Sequence, residues 1–139
     1  MERLELTEDL KRVLEIVPVE WTARGFHYAL AHANGVWQQQ RETERGWFFS
    51  TLYSDTEAAA LIKEALRVWL NVRGVDIEWL ITTGSFCVYR DATSDFLRFD
   101  DSDGVAWADH GDAARRFETY LDAQITAVLA VVREEDGDE

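Results

Sequence analysis

From Ser54 to Gly74 apolar residues return every three or four positions, at Ala58, Leu61, Ile62, Ala65, Trp69 and Val72. That spacing stacks them along one side of a helix, with Leu66 and Val68 widening the stripe. Both ends are marked. Ser54 followed by Glu57 is a capping box, Asp55 and Glu57 suit the positive end of the helix dipole, and Gly74 can take the left-handed position after the last turn. Before this helix the period falls to two. Phe26 to Ala33 reads as a strand, Asn34-Gly35 as a two-residue hairpin turn needing positive φ, and Val36 to Glu42 as the returning strand. In that strand Trp37, Gln39 and Arg41 face one way and Val36, Gln38 and Gln40 the other. Its three glutamines predict an edge or solvent-facing position. After a polar turn at Thr43 to Gly46, Trp47 to Tyr53 is a third strand of high β-propensity.

The flanks are shorter. Thr7 caps a first helix with Glu8 and Asp9 in its opening turn and Leu10, Val13, Leu14 and Val17 on its apolar side, and Pro18 ends it. Val19 to Thr22 is a short strand or a connection. Beyond Gly74, Val75 to Thr82, Phe86 to Arg90 and Phe96 to Phe99 read as strands, and Val105 to Ala108 as a strand extension or a docked loop. A last helix is expected over about Gly111 to Arg133, its stripe formed by Ala114, Phe117, Leu121, Ile125, Val128 and Val132. The pattern therefore predicts an α+β domain over residues 1–133 with element order α-βββ-α-βββ-α. An antiparallel sheet of about five to six strands carries helices mainly on one face. A disordered acidic tail follows over 134–139. This order of elements resembles that of small acidic secretion chaperones and of some bacterial regulator-type domains. The likeness lies in the layout alone and implies a fold, not an activity.

Charge changes this picture more than size does. The 139 residues carry a net charge of −13, which is unevenly spread. Residues 91–112 hold seven acids (Asp91, Asp95, Asp100, Asp101, Asp103, Asp109 and Asp112) against Arg98, and the last six residues hold five acids and no base. Such clustering argues against a uniformly salt-adapted coat. It also leaves no basic patch to displace counterions from phosphates, so direct nucleic-acid binding is not expected. Six Trp and seven Phe supply enough apolar surface for a core without a metal or disulfide staple. The single cysteine, Cys87, excludes an internal disulfide and favours a reducing compartment. With neither a signal-peptide pattern nor an apolar run near the roughly 20 residues needed to span a bilayer, a cytoplasmic protein without membrane contact is expected.

Candidate chemistry is thin. Asp100-Asp101-Ser102-Asp103-Gly104 resembles a calcium loop, but with Gly104 at the sixth position the first falls on Phe99 and the twelfth on His110, neither of which supplies the oxygen ligand required. His27 and His32 are five apart on one strand and face opposite sides, so they form no paired metal edge. Cys87 sits in mid-strand, where a cysteine acts as a small hydrophobe more often than as a nucleophile. Thr83-Gly84-Ser85 is too short for a phosphate loop. No metal, cofactor or catalytic set is expected. Trp69 and Trp47 read as core, whereas Trp37, among glutamines, and Trp107, beside the acidic loop, are harder to bury, and exposed Trp is enriched at binding hot spots. The expected function is a non-enzymatic acidic module that binds and neutralises or escorts a basic protein, in the manner of an immunity protein, inhibitor, anti-defence protein or chaperone. Its expected surface comprises Trp37, Asp91, Asp95, Asp100, Asp101, Asp103, Trp107, Asp109 and Asp112. Two alternatives stand beside it: mimicry of nucleic acid against a DNA- or RNA-binding enzyme, and a homodimeric structural or regulatory domain joined through the last helix or the glutamine strand.

Overall fold

The computed structural model describes residues 4–81, 84–90, 95–100, 104–108 and 116–135. The class is α+β with antiparallel pairing throughout. Among the described residues three helices, α1 (Glu8–Ile16), α2 (Asp55–Val72) and α3 (Tyr120–Glu135), stand with the strands β1 (Glu20–Ala23), β2 (Phe26–Ala33), β3 (Val36–Thr43), β4 (Gly46–Tyr53), β5 (Val75–Leu80), β6 (Ser85–Arg90), β7 (Asp95–Asp100) and β8 (Gly104–Ala108). The expected single sheet of five to six strands is instead two sheets of four, β1-β2-β3-β4 and β5-β6-β7-β8, each a simple meander. The chain divides into two compact units, Met1–Ala65 and Leu66–Glu139, with the boundary inside α2. The expected order gains one strand in each half, because Glu20–Ala23 and Gly104–Ala108 both pair.

In the first unit local chemistry sets each turn. Thr7 caps α1, its Oγ1 accepting from the Leu10 amide at 3.1 Å. Asn34-Gly35 takes φ of 55° and 80° and closes the β2–β3 hairpin. Arg24-Gly25 does the same for β1–β2 with φ of 53° and 82°. An arginine pays steric strain there that Asn avoids, so the sequence gives no signal for this turn. The capping box at α2 forms in both directions: Ser54 N donates to Glu57 Oε1 at 2.9 Å, and Glu57 N donates to Ser54 Oγ at 3.1 Å.

The buried side of α2 is rotated from the expected stripe. Ala58, Ala59, Ile62, Leu66 and Leu70 are buried, whereas Val72 is 78% exposed and Val68 is exposed as well. Apolar residues occur all round this helix, so hydrophobicity alone does not choose between the row through Trp69 and Val72 and the row through Leu66 and Leu70.

In the second unit β6 lies between β5 and β7 and supplies buried Cys87 and Val88. α3 packs against β5 and β6. It begins at Tyr120 rather than near Gly111. Before it, Phe117 bridges Phe86, each amide donating to the other's carbonyl at 2.8 Å, and Thr119 caps the helix through the Asp122 amide at 3.1 Å. The buried residues of α3 are Ala123, Gln124, Ala127, Val128, Ala130 and Val131, so Leu121, Ile125 and Val132 sit beside the stripe rather than in it. Ala114 lies outside the described residues. Glu134 and Glu135, expected in a disordered tail, end α3. Glu134 accepts from Arg90 Nη1 at 2.7 Å, and Glu135 pairs with Arg73 at 3.5 Å. Residues 136–139 lie outside the described residues.

Candidate functional site

The register of the first sheet sorts its side chains into two faces, because residues opposite each other across a ladder share a face. On one face lie four rows: Thr22, His27, Glu42 and Trp47; Glu20, Ala29, Gln40 and Phe49; Ala31, Gln38 and Leu52; and Ala33 with Val36. On the other lie Trp21, Tyr28, Arg41 and Phe48, then Leu30, Gln39 and Thr51, then His32, Trp37 and Tyr53. A register shift between Gln39 and Gln40 makes this sorting. It leaves Ser50 as the extra residue of β4, where its Oγ accepts from Gln39 Nε2 at 3.0 Å. Strict alternation would put Trp47, Phe49, Thr51 and Tyr53 together. The bulge instead groups Trp47, Phe49 and Leu52.

The two faces differ in cover. Trp37, expected to be hard to bury, is 2% exposed. Its Nε1 donates to the Leu4 carbonyl at 3.3 Å, and the Leu4 amide donates to Asp55 Oδ2 at 2.9 Å. The His32 ring meets its edge at 4.7 Å between centroids. Tyr53, on the same side, donates to Gln39 Oε1 at 2.6 Å, and burial followed by the nearby Glu57 carboxylate holds its phenol above the ordinary value. Trp37 is therefore a core anchor and offers no surface to a partner. The glutamine strand is likewise no edge, since β3 lies between β2 and β4 with Gln38 buried. The amides satisfy one another and their neighbours along the strand, with Gln40 Nε2 donating to Gln38 Oε1 at 3.4 Å.

The first face buries Gln38 but is open along β4. Trp47 is 39% exposed, Phe49 59% and Leu52 59%, and Val36 is exposed beside them. Trp47, read as core, is thus a surface residue. From β2 only alanines project here between His27 and the hairpin, so the floor is low beside the aromatic edge. No Lys or Arg stands in any of the four rows; the charged groups are Glu20, Glu42 and His27. His27 links the two glutamates, Nε2 to Glu20 Oε1 at 2.9 Å and Nδ1 to Glu42 Oε1 at 3.0 Å, and its ring lies 5.2 Å from that of Trp47. Carboxylates only accept, so both contacts need the doubly protonated ring. The hydrogen bond to Glu42 is the main influence raising the imidazole above its ordinary value, against a smaller desolvation effect and helped by the charge of Glu20.

Of the other expected site residues, Asp95 and Asp100 are the first and last residues of β7, and Trp107 pairs with Leu97 across β7–β8. Asp91, Asp101, Asp103, Asp109, Asp112 and His110 lie outside the described residues. Cys87 stands opposite Glu78 and is fully buried. Burial, with the Glu78 charge second, pushes its thiol up to about 11, so it stays protonated and poorly nucleophilic at neutral pH. Among the described residues no group of three His, Cys, Asp or Glu side chains could hold a metal ion, and no helix is long and apolar enough to cross a membrane. Comparison with protein-family models, curated proteins and solved structures gives no match.

Proposed function

We propose that this protein is a non-enzymatic binding module that takes a basic protein partner on the open face of its first sheet. The observation that carries this reading is the combination on that face of three exposed large apolar side chains, Trp47, Phe49 and Leu52, with two glutamates around them against the one imidazolium of His27 and no Lys or Arg in the rows. Exposed apolar groups that cluster, unlike scattered ones, mark interaction surfaces. Full burial of such a side chain contributes about 1.5–3 kcal/mol, and covering the 39–59% of each that is exposed gives roughly half of that. A micromolar complex needs about 8 kcal/mol, so the three residues supply part of the affinity and further contacts supply the rest. Charge supplies rate and selectivity: Glu20 and Glu42 at the rim, and the acidic stretches 91–112 and 134–139, draw a basic partner in from a distance and repel an acidic one. Neutralising, escorting and inhibiting a partner are all consistent with such a surface.

The reading is tested with the partner captured from the native host and purified. Its association rate with this protein is expected to fall steeply between low and high salt, with dissociation changing little. An association rate indifferent to ionic strength would sink the proposal.

A further inference from the structure

The outer strand of the first sheet carries a second feature. β4 has one neighbour, β3, so along its other side the backbone amides and carbonyls of an eight-residue strand have no ladder partner among the described residues. Edge strands of this kind are ordinarily blunted with lysine, proline, inward-pointing charge or a bulge. Gly46–Tyr53, with the sequence GWFFSTLY, has no charged residue and no proline. The Ser50 bulge is its one such device. The strand is also exposed on both faces, Phe48 at 51% on one side and Phe49 and Leu52 on the other.

We infer that β4 is a strand-addition edge, on which an extended segment of the basic partner pairs its backbone with Gly46–Tyr53 and continues the sheet. This rests on the reading that the open face binds such a partner and specifies how. The segment's chemistry follows from the edge. A strand pairing over eight residues spans about 27 Å and alternates its side chains between the faces. Those on the open face meet Trp47, Phe49 and Leu52, and those on the other meet Phe48, so apolar or β-branched residues suit both sets. Acids follow the strand at one end, Asp55 and Glu57 after Tyr53, whereas at the Gly46 end Glu42 and Glu44 are balanced by Arg41 and Arg45. Lysine or arginine at the end of the segment that meets Asp55 and Glu57 is complementary to them. A second copy of this chain is disfavoured by repulsion between two chains that each carry a net charge of −13. That repulsion, with the Ser50 bulge, also explains how the protein tolerates an edge without charge or proline.

The test uses both faces. Docking on the open face alone engages Phe49 and ignores Phe48, whereas strand addition engages both. A phage-displayed random library of roughly 12-residue peptides, long enough to cover the strand, is panned against the intact chain. Enriched peptides are then synthesised and titrated by fluorescence anisotropy against wild type, Phe48→Lys and Phe49→Lys. The expected peptides alternate apolar or β-branched residues with polar ones and carry lysine or arginine at the end that meets Asp55 and Glu57. Each substitution should weaken them at least about tenfold, and binding should slow amide exchange within Gly46–Tyr53. Both positions are more than half exposed, so the variants should keep the wild-type circular dichroism and melt within a few degrees of it. Peptides weakened by Phe49→Lys and indifferent to Phe48→Lys overturn strand addition and leave the open-face reading standing. No peptide responding to either substitution also overturns strand addition, and the affinity of the purified partner for Phe49→Lys then decides the face reading separately. Sedimentation of the chain alone completes the set: a dimer abolished by Phe48→Lys would place a second copy on the edge and overturn the inference.

Discussion

β3 and β4 are neighbours in one sheet, and their burial runs opposite to their composition. β3 reads VWQQQRET and holds the buried Trp37 and Gln38; β4 reads WFFSTLY after its glycine and is exposed at every position before Tyr53. Place in the sheet accounts for the difference. An inner strand is flanked on both sides, so even a glutamine there is covered and must find amide partners. An edge strand keeps one flank in water whatever its side chains. Apolar residues at an edge are then a surface waiting to be covered, and polar residues inside are part of the scaffold.

The sharpest way to break this contrast is to truncate an aromatic on each strand. Trp37→Ala removes a fully buried side chain and its hydrogen bond to Leu4, and should cost about 3–5 kcal/mol in urea unfolding. Phe49→Ala should stay within about 1 kcal/mol. Equal losses would mean that β4 is covered. In the second sheet, Cys87 extends the comparison to another inner strand. In the folded protein at pH 8 its thiol should react with a disulfide reagent at least about a hundredfold more slowly than free cysteine, and become fully reactive in denaturant. Fast labelling of the native chain would place β6 nearer the surface than its burial indicates.

How much of this could be read from the sequence depends on how local the cause is. Asn34-Gly35 and the Ser54–Glu57 box act within four residues, and both formed as their chemistry requires. Arg24-Gly25 uses the same turn with a residue that gives no warning. The Ser50 bulge, which decides that Leu52 rather than Tyr53 joins Trp47 and Phe49, depends on the partner strand, and no pattern within WFFSTLY shows it. The α+β class and most strands were legible, but the division into two four-stranded sheets was not, because both extra strands are short. Of the expected site, Trp37 failed because strand composition does not report edge or inner position. The exposed trio on β4 was missed for the same reason. Its one visible signal was a run too apolar on both of its faces for a half-buried strand.

Smaller effects sharpen the account further. Ser54→Ala should cost about 1 kcal/mol by removing the acceptor for the Glu57 amide. Its thermal midpoint should fall by a few degrees. The His27 bridge should show in pH dependence. Its folded pKa is raised, so the stability it contributes is fully present below the ordinary value of 6.5 and is lost as pH rises through the folded value. The difference in midpoint between wild type and His27→Gln should therefore shrink from pH 5.5 to pH 8.5. A difference that grows with pH would mean that the ring is bound neutral.

The most direct test of the central claim is a hydrogen-exchange footprint of the protein with and without its purified basic partner. The open face of the first sheet predicts slowed exchange across Gly46–Tyr53, with α3 unchanged. Protection confined to the second unit, with Gly46–Tyr53 exchanging as in the free protein, would contradict it.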